Sequence, residues 1–143
     1  MGGVDELDTR IDNTINSKIK THKLASKELV GEVMEIKEKE AKVRLKALKE
    51  MAVDERGLIH GGFTFGLADL AAMVAVNHPN VVLGRAEVKF TKPVKVGDEI
   101  IAHAKVVEVK GKKNLVEVIV RVQDNIVLEG IFHCYVLDKH VLN

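Results

Sequence analysis

Between Gly57 and Asn77 the chain reads GLIHGGFTFGLADLAAMVAVN, a stretch helical in length and composition and apolar on every side. A helix with no polar face has nothing to turn toward water and must be enclosed. The rest of the chain has to supply the enclosure, and its alternation shows how. Ala41, Val43, Leu45 and Ala47 take turns with Lys42, Arg44 and Lys46, the period of a strand with one dry and one wet face. The preceding LVGEVMEI joins it through the charged turn KEKE, which makes a hairpin. Past the helix, which Pro79 brings to an end by steering the residue before it away from helical geometry, come VVLGRAEVKFTKPV, IIAHAKVVEVK, LVEVIVRVQ and IVLEGIFHCYVL. The links VGDE, GKK and DN are short, so the strands are expected to run antiparallel as a meander. The fold class is α+β: one long central helix and five to six antiparallel strands that curl about it, unless other helices close over it.

At 143 residues the chain is most simply one domain. Ahead of it, Leu7, Ile11, Ile15 and Ile19 recur every fourth position, an amphipathic helix that must rest on something. The division is a helical extension over residues 1–23 and a domain over 24–143. The net charge of +1 creates no broad field for nucleic acid or an anionic membrane. No basic segment followed by an apolar run opens the chain, and MGGVDE places Glu where a myristoylation motif needs Ser or Thr, so a cytoplasmic protein is expected. Cys134 has no second cysteine to bridge, and its alternating context makes it a small core residue. His22, His78, His103, His133 and His140 lack metal-binding spacing, and no metal or cofactor is expected.

Two features of the helix carry chemistry. Gly61 and Gly62 fall at its start, where backbone N–H groups have no intrahelical partners and the helix dipole is positive. Such an end can hold an anion or an oxyanion; equally, the glycines can serve a tight turn or close packing. The second feature is Asp69, whose helical neighbours Phe65, Gly66, Ala72 and Met73 leave no polar stripe for it. It is either a structural carboxylate satisfied by a backbone N–H, Lys or Arg, or a general base or nucleophile in a partly dry cleft. Gly61 and Asp69 are eight residues apart, about 12 Å along one helix, and lie on different faces. One substrate carbonyl cannot meet both, so joint action requires two copies of the chain across a two-fold axis.

His60-Gly61-Gly62, then Leu67-Ala68-Asp69, with Asn77 at the helix end and FTKPVKVGDEIIAHAKV downstream, resemble the hotdog-fold acyl-CoA thioesterases of the phenylacetic-acid-degradation type. The resemblance runs from about Leu24 to Leu137. It implies a helix wrapped by a curved sheet, homodimers often paired into homotetramers, and a site at each dimer interface. It also implies that the Gly61 N–H faces the thioester carbonyl while Asp69 of the facing subunit activates water or attacks directly, with coenzyme A present only as part of the substrate. His60 and Gly62 are helpers, His60 as a brace for the loop. Asp54 stands where a related branch carries an Asn, and Leu83-Gly84-Arg85-Ala86 holds no hydroxyl where another branch has one. Arg85, Lys89, Lys92 and Lys95 are candidates for the coenzyme A phosphates or simply a solvated strand face, and Phe63 and Phe65 for acyl-pocket lining or core.

A second resemblance is to the effector domain of bacterial regulators of fatty-acid synthesis, carried by ELVGEV, RAEVKFTKPVKVGD and IVLEGIFHCY. Those hotdog proteins bind malonyl-CoA without hydrolysing it and lack the acid at position 69. Their DNA-binding domain needs more than the roughly 25 residues preceding the domain here. A non-catalytic acyl-CoA-binding module is the alternative function.

Overall fold

A computed structural model describes residues 14–143. Six strands form one sheet: β1 (Glu32–Lys37), β2 (Glu40–Lys46), β3 (Val81–Phe90), β4 (Glu99–Lys110), β5 (Lys113–Val122) and β6 (Asn125–Val136). The long helix α1 (Gly61–Val76) lies across them, closest to β2, β4 and β5. This is the hotdog architecture. The alternation seen in the sequence sorts as expected, with Ala41, Val43 and Leu45 buried under the helix and Lys46 and Arg44 in solvent. Leu67, Ala68, Ala71, Ala72 and Val74 of α1 have no exposed surface.

Two expectations are corrected. The strands are all antiparallel but not a simple meander, because the order across the sheet is β1-β2-β4-β5-β6-β3. β1 and β2 form the expected hairpin and β4, β5 and β6 follow one another, while β3 lies on the far edge against β6. The reason is the link from β3 to β4: instead of a tight turn it runs along the loop before α1, where the Ile59 N–H donates to the Val94 carbonyl at 2.9 Å and Leu58 bridges Lys95. The β5–β6 turn falls at Gln123-Asp124, with Gln123 at φ 54° and Asn125 already paired with Val122, not at Asp124-Asn125.

The enclosure of α1 is also incomplete. Phe65, Gly66, Asp69 and Val76 form a stripe that stays half-buried, since the sheet covers one side of the helix and the segment before β1 covers another. That segment carries the remaining part of the amphipathic pattern. Residues 14–18 are helical, and Ile15 and Ile19 are half-buried beside Leu70 and Val74; Leu7 and Ile11 lie outside the described residues. Asn77 pins the segment. It caps α1 in the left-handed region at φ 54°, accepts the Lys20 N–H on its side-chain oxygen at 2.8 Å and donates its amide to the Lys18 carbonyl at 2.9 Å. Among the described residues no helix is long and apolar enough to cross a membrane.

The seating of β3 depends on Gly130 in β6, where a Cβ would collide with the Glu87 carbonyl and come within 2.9 Å of the Val88 Cα. Both obstacles are backbone, so they cannot rotate away. Gly130→Ala is expected to destabilise the protein by about 1–3 kcal/mol in urea denaturation, as overpacking does, with amide exchange rising first in β3. An unchanged midpoint would remove Gly130 from this role.

Candidate active site at the helix start and Asp69

The helix opens as the sequence suggests. His60 is its N-cap, and its Nδ1 accepts the Gly62 N–H at 2.8 Å, so one donor of the helix start is already taken. The Gly61 N–H has no hydrogen-bond partner among the described residues, and Gly61 is exposed. A free donor at the positive end of a sixteen-residue helix is ready for an oxygen carrying negative charge. The ring of Phe90, half exposed at the end of β3, lies close by: a Cβ on Gly61 would meet it at 3.3 Å.

Asp69 lies two turns further along, on the half-buried stripe. Its Oδ1 is fully buried, and the side chain has no hydrogen bond or ion pair among the described residues. Among the described residues, therefore, nothing satisfies the structural reading of a carboxylate held by a backbone N–H or a cation. Burial pushes the Asp69 carboxyl above the usual carboxylate range, while the nearby His22 pulls in the opposite direction and is the weaker of the two. Asp69 also opens onto a cavity of about 420 Å³, walled by Thr21, His22, Asn80, Leu83 and His140 among others. Beneath it Cys134 is completely buried, and burial together with the Asp69 charge pushes its thiol up to about 12, which leaves a small inert core residue.

The other candidates are dispersed. Asp54 Oδ1 accepts the N–H groups of Arg56 at 3.0 Å and Leu58 at 3.1 Å, so it folds the loop before the helix. Phe63 is half-buried and meets the His60 ring edge-on at 6.3 Å; Phe65 stacks on the buried Phe132 at 5.5 Å. Arg85 pairs with Glu87 at 3.1 Å, the Lys92 ammonium donates to Asn125 at 2.8 Å, and Lys89 is exposed on β3. None of the three lines the cavity at Asp69. Thr21 had no place in the sequence reading, His22 entered it only as a histidine without metal-binding spacing, and Phe90 only as the first residue of FTKPV. Their positions depend on chain paths that no local pattern announces. Among the described residues no cluster of three or more His, Cys, Asp or Glu is placed to hold a metal.

Helix, sheet and glycine turn together define the class, and comparison with known proteins agrees. The family model of the thioesterase superfamily matches residues 56–129, just over half of the chain, and the chain belongs to that superfamily. An uncharacterized protein from Pyrococcus horikoshii has the same fold with TM-score 0.86 and 63% identity, covering 87% of this chain and 95% of that one. A hypothetical thioesterase with coenzyme A from Streptococcus pneumoniae TIGR4 shares the fold at TM-score 0.69 and 18% identity, over 77% of this chain and 88% of that one. The transcription factor FapR of Caldanaerobacter subterraneus is 27% identical over 98% of this chain and 71% of its own length. A methylthioribose-1-phosphate isomerase of Aquifex aeolicus is 53% identical over 80% of this chain, but the match spans only 25% of that protein.

The orphaned carboxylate has a consequence for stability. Its folded-state pKa lies above the unfolded one, so ionisation opposes folding once the pH exceeds the unfolded value. Asp69→Asn should therefore stabilise the protein at pH 7, because the amide carries no charge for burial to oppose. The advantage should fade as the pH drops through about 4, where the unfolded aspartate is also protonated. Urea midpoints at both pH values check this, and a destabilised Asn variant at pH 7 would mean that Asp69 has a partner.

Proposed function

We propose that the chain is an acyl-CoA thioesterase working as a homodimer, and as a homotetramer where dimers pair. The observation that carries the reading is Asp69 at the edge of a cavity, its Oδ1 buried and its side chain without a partner among the described residues. The thioester carbonyl of the substrate accepts the Gly61 N–H of one subunit, and Asp69 of the other acts on the carbonyl carbon or on water. In the general-base form, Asp69 takes a proton from water, the C–O bond forms, and the oxyanion rests on Gly61. The C–S bond then breaks and the coenzyme A thiolate leaves with the proton returned by Asp69. In the nucleophilic form, the Asp69 carboxylate attacks the thioester carbon, the C–S bond breaks as the coenzyme A thiolate leaves and is protonated by solvent, and water then opens the anhydride to release the acid and restore the Asp69 carboxylate. Neither form needs a metal or cofactor beyond the coenzyme A of the substrate.

The dimer is supported by two features that a single chain leaves unfinished. β3 is an edge strand of ten residues with one side of its backbone unpaired, and the half-exposed stripe of α1 is the side that the sheet and the N-terminal segment leave open. In this reading residues 24–143 are the thioesterase domain, residues 1–23 an extension of it, and the protein is cytoplasmic without nucleic-acid or membrane partners. The coenzyme A named with the Streptococcus pneumoniae protein supports the substrate class. The alignment with FapR over nearly the whole chain favours a second reading, an acyl-CoA-binding module without turnover.

Thiol release from a panel of acyl-CoAs separates the two. Turnover is expected in the wild type, with Asp69→Asn at least about 10³-fold slower. Gly61→Pro removes the N–H at the first helical position, where proline is tolerated and His60 at ψ 128° already has the backbone that a following proline requires; its Cβ would meet the ring of Phe90 at 3.3 Å, an exposed side chain that can yield toward solvent. It should lose about 10²- to 10³-fold in kcat. Mixed dimers of the two variants should regain activity, because one site in each recovers a Gly61 and an Asp69 from different chains. Absence of turnover on every acyl-CoA supports the binding module, and dead mixed dimers would falsify the shared site.

A further inference from the structure

We propose that the N-terminal segment is a wall of the active site and that His22, which lines the same cavity as Asp69, is a positioning residue for that carboxylate. This rests on the reading of Asp69 as the working carboxylate.

Four observations converge on His22. Its side chain and that of Asp69 line the same cavity, although 47 positions separate them in the chain. The segment is not free to drift, because the Asn77 side chain holds Lys18 and Lys20 to the end of the same helix that carries Asp69. His22 is held at φ 54°, a left-handed conformation that few residues other than glycine adopt without a local reason. Finally, the ring is oriented: Nδ1 is hydrogen-bonded to the Thr21 hydroxyl at 2.7 Å, and Thr21 is itself buried. Nε2 has no partner among the described residues.

The groups around Asp69 leave His22 as the means of control. On β6, Cys134 is neutral, its thiol pushed far above physiological pH. In the C-terminal segment, His140 lines the cavity, but its Nδ1 accepts the Leu142 N–H at 3.0 Å and its charge has no resolved influence on Asp69. No Lys or Arg lines the cavity. Protonated His22 is the group whose field favours the ionised carboxylate against the effect of burial. The consequence is that Asp69 remains a competent base at lower pH than burial alone would permit, and that the segment must be seated for this to happen.

The sign of the effect makes the test specific. His22→Gln keeps size and polarity and removes the charge. The Asp69 carboxyl, followed by carbon-13 NMR, should then titrate at higher pH than in the wild type, and the acid limb of kcat/KM should move up with it. At alkaline pH, where position 22 carries no positive charge in wild type or variant, the two rates should converge, whereas a purely structural defect lowers the rate at all pH values. Asn77→Gly keeps the left-handed cap and deletes the clamp, so it should move the Asp69 titration in the same direction even if His22→Gln folds poorly. The NMR measurement needs no turnover. A wild type that hydrolyses nothing sinks the proposed function while the coupling is still read; an active wild type whose Asp69 titration is unmoved in both variants sinks the role of His22.

Discussion

The structure depends on one constraint, that a helix without a polar face be kept from water. Everything else arranges itself around α1. The sheet contributes the buried faces of β2, β4 and β5, and the segment before β1 adds Ile15 and Ile19 from the other side. Together they leave one stripe half-open, and Asp69 lies on it beside the seam with the N-terminal segment. The unfinished part of the enclosure and the unsatisfied part of the chemistry therefore coincide.

That coincidence explains how the carboxylate is tolerated. The positive end of α1 is about 12 Å away along the axis, too far to relieve a charge in the middle of the helix, because the dipole acts within the first turn. Nothing else in the described chain donates to it. A packed alternative at position 69 would be more stable. Local strain and unpaired polar groups persist where function demands them, and the surrounding core is large enough to carry one.

Much of this was legible in the sequence because it repeats. Period two located the strands, and an apolar run ending before Pro79 located the helix. Strand order was not legible, since the link carrying Pro93 pairs with the loop around Leu58 and Ile59, a contact without any local signature. Gly61, His60 and Asp69 announced themselves by being out of place in an apolar run. His22 and Phe90 did not, because each reaches the site only through the folded path of its segment. Asp54, a carboxylate at a suggestive spacing, has a local task that the spacing did not show: its Oδ1 accepts two N–H groups of its own loop.

The proteins this chain is similar to include one named a thioesterase and one named a transcription factor, so the fold alone does not choose between turnover and binding, and the choice turns on one side chain. A site that only binds an acyl-CoA gains from positive or neutral walls, since the ligand brings phosphates and a carbonyl oxygen that all repel negative charge. A buried carboxylate without a partner opposes both folding and such binding. Under the hydrolysis proposed above it would contribute something in return, by accepting a proton or attacking a carbon while the Gly61 N–H holds the carbonyl oxygen. The presence of Asp69 on the open stripe, not the hotdog fold itself, is what weighs toward an enzyme.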